Sequence, residues 1–403
     1  MQIRVSINKM AEWLFYLYIS TFSYIAILYA WFADAIFIGF ILMAVFLALS
    51  QNSRLNSTIK NTGFGFIVAL LVLTGLTYFF AQNRSTVRTT SWTLIQMLVL
   101  DIGILVVAQE KEVIRKALIA YVVGVYMMAV MLFLRYGVNT FTVINSWRLL
   151  GAEDIAININ SIGSAGAWSA SILLMLYGIE KKKRYLWLSI VPILFALISS
   201  SRASILIVLV CVIMYSLFSG KRDSVFKAAI TLGIMIIIYY VVKQLNWFPT
   251  VIERFDELLN IKDGIENTDG STKFRYEMVL YGLDMMKQHP IFGYGMGQFA
   301  YYSIYDGGYY SPHNTFIQVG IAFGIVGLLV WYGIPLAKVI KLRRYGGKDT
   351  SLIMVVIIIA LSIMSISSQS LTDKTSHLFI MLAFAMPLCS QRTAQLNGEG
   401  KMT

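Results

Sequence analysis

Residues 314–337 read NTFIQVGIAFGIVGLLVWYGIPLA, a stretch of 24 residues that contains no charged side chain. A helix of this length reaches about 36 Å, because each residue adds 1.5 Å, and it therefore crosses the roughly 30 Å hydrocarbon core of a bilayer. Similar apolar stretches recur along the whole chain. The sequence predicts an all-α integral membrane protein.

The composition excludes the water-soluble classes of protein. Of the 403 residues, 58% are hydrophobic and 13% are charged. The usual charged share is about 25%, so this chain cannot cover the surface of a soluble particle. A soluble enzyme, a disordered protein and a nucleic-acid-binding domain are excluded. The net charge of +12 mainly encodes membrane topology, because most basic residues fall in short loops.

Hydropathy predicts about twelve transmembrane helices. The run from Trp13 to Trp31 is longer than the apolar region of a signal peptide, so we expect it to be retained as the first span. The expected spans lie near residues 13–31, 34–50, 64–81, 93–109, 117–136, 164–179, 187–201, 204–219, 228–245, 314–337, 351–370 and 376–390.

The distribution of basic residues predicts the orientation of the chain. With a cytoplasmic N-terminus, the loops on the cytoplasmic side hold 21 of the 33 Lys and Arg residues, as the positive-inside rule requires. Both termini are then cytoplasmic. The expected divisions are helices 1–9 in residues 1–245, an extracytoplasmic helical loop in 246–313, helices 10–12 in 314–390 and a cytoplasmic tail in 391–403.

Two predicted outer segments are long, residues 137–163 and 246–313, and we expect function there because loops of this length are uncommon without one. Within the second segment, Pro249 is suited to open one amphipathic helix. A second amphipathic helix is expected from Thr272 to about His289, where Pro290 stops it.

Arg202 lies in the stretch Ser199-Ser200-Ser201-Arg202-Ala203-Ser204, between two predicted spans with almost no loop between them. One interpretation is an arginine that reaches the membrane surface and anchors a tight turn. The other is a polar pocket in which the serines and one guanidinium hold a phosphate, since an ionised side chain at the membrane often marks function.

Two further basic residues occupy the second outer segment. Arg275 lies near the start of the predicted loop helix, where the alternative is a surface partner of a nearby carboxylate. His313 stands in Ser311-Pro312-His313-Asn314, just before the tenth span. A single histidine is more often structural than catalytic, but a helix N-terminus and nearby Arg charge both favour the neutral imidazole that a general base needs.

A glycine-rich turn and a tyrosine cluster lie between these two residues. Gly293, Gly295 and Gly297 do not form a dinucleotide fingerprint, because neither the spacing nor the strand and helix context fits. They predict either backbone N–H groups that approach an anion or a loop that folds tightly onto helix ends. The tyrosines predict either an interfacial aromatic belt or stacking on sugar rings; they are Tyr301, Tyr302, Tyr305, Tyr309 and Tyr310.

Signatures of other chemistries are missing from the sequence. There is no P-loop, no H-E-x-x-H motif and no clustered metal-ligand set, so we expect no metal and no cofactor. Cys211 and Cys389 predict neither a disulfide framework nor a thiolate site. Asp101 and Lys243 read as isolated ionisable groups within spans, which makes the case for a proton-coupled transporter weak.

The motifs together resemble the O-antigen ligase and O-antigen polymerase (Wzy-type) superfamily of bacterial membrane glycosyltransferases. The resemblance rests on the order and spacing of Ser-Arg-Ala at residue 202, the loop-helix Arg275, the glycine-rich turn and Pro-His-Asn-Thr-Phe at residue 313. It covers about residues 199–330.

The resemblance implies a GT-C-like fold and a metal-independent, inverting glycosyltransferase in the bacterial cytoplasmic (inner) membrane, with its site on the extracytoplasmic face. It implies an undecaprenyl-pyrophosphate-linked glycan as donor. The catalytic residues carried over are Arg202, Arg275 and His313. The guanidinium groups of the two arginines suit a pyrophosphate, because each can bind two phosphate oxygens at once. Expected substrate contacts also include Ser201, Gly293, Gly295, Gly297, Asn314 and Tyr309.

We prefer a polymerase of surface polysaccharide, of the O-antigen or capsule type. The alternative is an O-antigen ligase that transfers glycan to lipid A core, and a lipid-linked glycan flippase is a third reading from another class. Expected partners are the lipid-linked donor, an acceptor glycan or lipid A core, the bilayer, and assembly proteins such as a flippase and a chain-length regulator. No nucleic acid is expected.

Overall fold

The computed structural model describes residues 6–22, 30–140, 159–199, 201–218, 270–302, 312–345 and 348–386, together with seven single positions between 233 and 256. Every regular element in these ranges is helical, which confirms the all-α prediction for the described part of the chain. The helices are α1 (Ile7–Phe22), α2 (Ala30–Ser50), α3 (Asn52–Ile59), α4 (Thr62–Phe80), α5 (Arg84–Val107), α6 (Lys111–Tyr136), α7 (Ile159–Glu180), α8 (Arg184–Ile198), α9 (Arg202–Phe218), α10 (Gly270–Gln288), α11 (Gln298–Tyr302), α12 (Thr315–Leu328), α13 (Ile334–Tyr345), α14 (Lys348–Ser367) and α15 (Lys374–Ala385).

In the part of the chain that the structure describes, fewer helices reach membrane-spanning length than hydropathy predicts. Six helices of the described residues are long and apolar enough to cross a bilayer, and four more apolar helices are shorter. The six are Trp31–Ser50, Thr62–Phe80, Arg84–Val107, Lys111–Asn139, Asn160–Glu180 and Thr315–Leu342. The predicted span at 228–245 lies outside the described ranges. Twelve spans therefore remain a prediction.

Helix boundaries differ from the hydropathy spans where polar residues begin a helix. The span expected near 93–109 is a helix that begins at Arg84, because the Asn83 side chain accepts hydrogen bonds from Ser85 N at 3.0 Å and Thr86 N at 3.1 Å. Such a cap satisfies backbone donors that the helix itself leaves unpaired. Hydropathy does not detect it. The first span also differs from its expected range of 13–31. Helix α1 is Ile7–Phe22, and Trp31 lies in α2.

The helices pack through small residues and aromatic rings. Helix α7 lies against α8 and α9, and a Cβ at Gly166 would stand 2.6 Å from the carbonyl oxygen of Pro192. Close backbone approach of this kind is how helices associate in lipid, where burial of apolar surface does not favour contact. The core contains Trp168 stacked on Phe379, with ring centroids 3.9 Å apart.

Large apolar side chains on the outside of the helix bundle indicate a lipid-facing surface. Trp13 is 71% exposed, Phe79 78% and Leu134 79%. Contiguous apolar surface of this extent is unfavourable in water. It is favourable in contact with acyl chains, in agreement with the membrane assignment.

Helix α12 is interrupted, and the interruption is filled by the glycine-rich turn. Gly324 has a φ of +63°, so the backbone groups on either side of it lose their helical partners. Ile325 N donates to Pro290 O at 2.8 Å and Val326 N to Ile291 O at 3.3 Å, and in return Ile321 O and Ala322 O accept from the N–H groups of residues 294 and 295. The four backbone groups of these two broken helical hydrogen bonds all find new partners in the turn, as a low-dielectric environment requires.

The two ends of the bundle differ in chemistry. One end carries ion pairs between predicted cytoplasmic segments, including Arg115–Glu180 at 2.6 Å and Lys182–Glu180 at 2.8 Å. The other end holds the connections between α4 and α5 and between α8 and α9, together with α10, α11 and the start of α12. We call it the site end.

Candidate active site

Arg202 is the first residue of α9. It follows the connection between α8 and α9 at the site end, which contains Ser199 and Ser201 and is called the serine turn below. Ser199, Ser201 and Ser204 are buried around it. A Cβ at Gly163 of α7 would lie 2.1 Å from Ser199 Oγ and 2.9 Å from Ser204 Oγ. The polar turn therefore packs directly on the α7 backbone, and only a residue without a side chain fits there.

A hydrogen bond joins Arg202 to the loop helix. Its Nη1 donates to Thr272 Oγ1 at 2.7 Å, although 70 residues separate the two. Thr272 lies in the first turn of α10. The guanidinium is half-buried, and this bond orients it toward the segment that also carries Arg275.

Arg275 follows Thr272 by three residues on α10, and side chains at this spacing lie on the same helix face. Arg275 is close enough to His313 for its positive charge to act on the imidazole. Burial lowers the pKa of His313 most, and the charge of Arg275 lowers it further. The structure therefore brings Arg202, Arg275 and His313 to one region at the site end.

His313 has an unusual backbone conformation, with a φ of +48°. Non-glycine residues adopt this left-handed region rarely, and such conformations cluster at functional sites where the surroundings maintain them. Asn314 is the N-cap of α12, and its side chain accepts from Ile317 N at 3.1 Å and donates to Ile366 O at 3.3 Å. The imidazole thus stands immediately before the positive end of a helix.

The glycines of the turn pack against helices. A Cβ at Gly293 would lie 2.4 Å from Ile321 O, and one at Gly297 would lie 2.6 Å from Thr90 Oγ1. Gly293, Gly295 and Gly297 all have positive φ. The N–H of Gly293 donates to His289 O and that of Gly295 to Ala322 O, both at 3.1 Å. Of the two sequence interpretations, the geometry favours the tightly folded loop, and contact of these glycines with substrate remains a prediction.

Gln298 anchors the turn and was not singled out by the sequence. It is fully buried. Its Oε1 accepts from Asn83 N at 3.1 Å, and its Nε2 donates to Asn83 O and to Thr86 Oγ1, each at 2.9 Å. These bonds fasten the α10–α11 segment to the α4–α5 connection. Only its position one residue after Gly297 could have indicated it.

The loop helix packs on α12 through a small apolar cluster. Its buried members are Met278, Met285, Phe299, Ile317 and Ile321. Tyr301 is exposed and Tyr302 half-buried beside this cluster. The other three tyrosines of the cluster, Tyr305, Tyr309 and Tyr310, lie outside the described residues. So does the amphipathic helix expected to begin at Pro249, except for the single position Asp256.

Asp101 and Lys243 are not isolated, which corrects the sequence interpretation. Asp101 Oδ2 lies 2.8 Å from His377 Nδ1, and both residues are fully buried. Lys243 Nζ lies 2.6 Å from Asp256 Oδ2. The partners lie 276 and 13 residues away along the chain, so hydropathy could not reveal the first pairing. Within the described ranges, no three His, Cys, Asp or Glu side chains form a group that could hold a metal ion.

Residues 187–332 match the family model described as O-antigen ligase. The resemblance is confirmed for this segment. It contains the serine turn, α10, the glycine-rich turn and the break in α12, and so all of Arg202, Arg275 and His313.

The O-antigen ligase segment supports a ligase-type or polymerase-type function in general and a glycosyltransferase-like enzyme in a membrane. It does not separate ligase from polymerase. No curated protein matches the chain significantly.

Proposed function

We propose that this chain is a bacterial surface-polysaccharide polymerase of the O-antigen or capsule type. It transfers glycan from an undecaprenyl-pyrophosphate-linked donor to an acceptor sugar hydroxyl on the outer side of the cytoplasmic membrane. The observation that carries the proposal is the meeting of Arg202, Arg275 and His313 at one end of the bundle, within the segment that matches the O-antigen ligase family.

The two arginines bind the donor pyrophosphate. Guanidinium stays protonated at every physiological pH, and its fork of donors matches two phosphate oxygens at once. Arg202 is held in place by Thr272, so part of the ordering of this long side chain is complete before the donor arrives. Fixed positive charge at this point stabilises the negative charge that develops on the leaving pyrophosphate.

His313 is the general base. Burial and the charge of Arg275 lower its pKa, so the imidazole is neutral near pH 7 and can accept the proton of the acceptor hydroxyl. The hydroxyl oxygen then forms a bond to the anomeric carbon. The bond from that carbon to the pyrophosphate breaks, and its electron pair leaves with the phosphate oxygen. A single displacement of this kind inverts the anomeric configuration, and it needs no metal.

The position of the site supports a lipid-linked substrate. The site lies at one end of helices with a lipid-facing apolar surface, so a polyprenyl tail stays in the bilayer while its pyrophosphate reaches the arginines. The basic loops support a cytoplasmic location for the opposite end. With that orientation the site end is extracytoplasmic, which agrees with the GT-C-like fold that we propose.

Transfer to lipid A core is the second candidate, because the matching family is described as O-antigen ligase. One assay separates the two. Purified protein in detergent is given lipid-linked repeat units, first alone and then with lipid A core. Longer lipid-linked glycans in the first reaction support the polymerase, whereas glycosylation of added core alone makes the chain a ligase. No product in either reaction contradicts both candidates and leaves a flippase, which makes no new glycosidic bond.

A further inference from the structure

A buried hydrogen-bonded pair lies outside the proposed catalytic residues. Asp101 of α5 and His377 of α15 are fully enclosed by the protein. Besides its 2.8 Å contact with Asp101, His377 places Nε2 at 3.0 Å from the carbonyl oxygen of Leu371. That carbonyl belongs to a short 3₁₀ turn, Ser370–Thr372, which connects α14 to α15.

The contacts of His377 determine its hydrogen positions. A carbonyl oxygen only accepts, so Nε2 carries the hydrogen of that bond. The contact between Nδ1 and Oδ2 then needs one further proton, which resides on the imidazole or on the carboxyl group. In either state the pair is neutral as a whole, and His377 remains attached to the Leu371 carbonyl.

The 3₁₀ turn that His377 contacts is also hydrogen-bonded to the start of α12. Thr315 Oγ1 accepts from Ser370 N at 2.9 Å and donates to Ser368 O at 2.8 Å. The neighbouring Asn314 donates to Ile366 O. Hydrogen bonds and the short backbone segments between them therefore connect Asp101 to the two residues that follow His313.

We propose that Asp101 and His377 are positioning residues for the active site. They fix the Ser370–Thr372 turn against Thr315 and so maintain the left-handed conformation of His313, which directs the imidazole into the site. The inference rests on the proposed function of His313, but its geometric part can be tested without activity.

Stability alone is a poor explanation for such a pair. A buried polar pair is often replaced by apolar side chains without loss of stability. In addition, Asp101 Oδ1 has no hydrogen-bond partner among the described residues, which makes this arrangement costly. The property that apolar residues cannot supply is a directed bond to the Leu371 carbonyl.

Two substitutions separate this role from simple packing. His377→Asn keeps a donor near Asp101 but is too short to reach Leu371 O, so it breaks the connection. Asp101→Asn is the matched control in the same buried pair, because its amide N–H can donate to Nδ1 while Nε2–H stays on Leu371 O. Thr315→Val breaks the connection at its other end and serves as a second variant that leaves the buried pair intact.

The first measurement uses the three histidines of the chain, His289, His313 and His377. Protein labelled with ¹³C and ¹⁵N only in histidine gives three imidazole signals, each assigned by substitution. His377→Asn and Thr315→Val are expected to shift the His313 signal and leave that of His289 unchanged, and Asp101→Asn is expected to leave both unchanged. An unshifted His313 signal in both connection-breaking variants overturns the inference.

The second measurement is turnover of lipid-linked donor. His377→Asn is expected to lower kcat roughly 10- to 100-fold, the usual effect of a small misplacement, while the affinity of the folded protein for donor stays near wild type. In a His313→Ala background it should cause no further loss. An equal loss in both backgrounds overturns the inference while leaving the proposed function intact. An inactive wild-type protein contradicts the proposed function instead, and the histidine signals still decide the geometric claim.

Discussion

At the scale of single residues, the site is a set of positive charges around one neutral imidazole. Thr272 orients Arg202 through a 2.7 Å hydrogen bond, and Arg275 acts on His313 through its charge. In the proposed mechanism the same arginine has two effects: it attracts the pyrophosphate, and its charge keeps the base, His313, unprotonated. The pH dependence of turnover therefore tests whether Arg275 and His313 interact.

The first prediction concerns that pH dependence. His313 must be neutral to act, so turnover falls as pH drops through its pKa, which lies below the ordinary histidine value of about 6.5 because of burial and Arg275. Arg275→Gln removes a positive charge, raises this pKa and moves the acid limb of kcat to higher pH. Lys273→Gln, on an exposed position of the same helix, is the control and should not move it. A limb unchanged by Arg275→Gln would show that the two side chains do not interact.

The second prediction concerns the shape of the donor site. Arg202→Ala should weaken donor binding and turnover together, because the guanidinium contacts the donor before and during reaction. Arg202→Lys should fail to restore full activity, since an ammonium group cannot bind two phosphate oxygens as a planar fork does. Binding of labelled donor and turnover are measured on the same preparations. Full activity of Arg202→Lys would mean that only the charge at this position matters.

The sequence identified the residues with distinctive local patterns and missed those whose role depends on distant partners. Arg202 and His313 stand in short motifs at helix ends. His377 has no such pattern, and its pairing with Asp101 across 276 residues depends on how α5 and α15 pack. Gln298 was missed for the same reason, because the backbone it satisfies at Asn83 is 215 residues away.

At the scale of elements, the break in α12 and the glycine-rich turn form one unit. The hydrogen bonds that α12 loses at Gly324 are replaced by backbone groups of residues 290–295. Hydropathy predicted an uninterrupted span near 314–337, because a single glycine within an apolar run hardly changes the mean hydropathy of the run. The loop helix α10 was predicted to within two residues at its start and one at its end. Its end was predictable because Pro290 cannot continue the helix.

The third prediction tests this unit. Gly324→Ala places a Cβ 2.3 Å from the Ile291 backbone at a φ of +63°, so the turn must move away or the helix must change path. We expect a lower melting temperature in detergent and loss of turnover. Gly65→Ala is the matched control on α4, where nothing lies within 4 Å of the added Cβ. Alanine favours a helix over glycine by about 1 kcal/mol, so the control should be unchanged or more stable.

If Gly324→Ala is as stable and active as Gly65→Ala, the turn does not depend on the break in α12. The packing of residues 290–295 would then have to be explained by side-chain contacts such as the edge-to-face contact between the rings of His289 and Tyr294. Comparison of the two alanine variants in one preparation series decides between these explanations.

At the scale of the whole molecule, the bundle has one end rich in ion pairs and one end that carries the site. The positive-inside rule predicts that the first end is cytoplasmic. Composition alone predicted a membrane protein, and the described helices agree with it. The sequence predicted a more uniform set of spans than the structure has: α5, α6 and α7 are longer than the spans expected there, whereas α15 is shorter.

The fourth prediction is the orientation. In a variant without Cys211 and Cys389, a cysteine at the exposed Gln82 of the site end should react with an impermeant maleimide added outside intact cells. A cysteine at Lys182, whose side chain is 54% exposed at the opposite end, should react only after the membrane is opened. The reverse pattern would place the site in the cytoplasm, where the proposed donor does not present its glycan.

In the proposed mechanism, His313 activates an acceptor while the arginines hold a lipid-linked pyrophosphate. Comparison of His313→Ala with the wild type in detergent, with both glycan extension and donor binding measured, tests this division of roles. We expect donor affinity to be largely retained while turnover falls roughly 10²- to 10⁴-fold, the usual contribution of a positioned base. Turnover close to wild type in a variant that binds donor normally would contradict it.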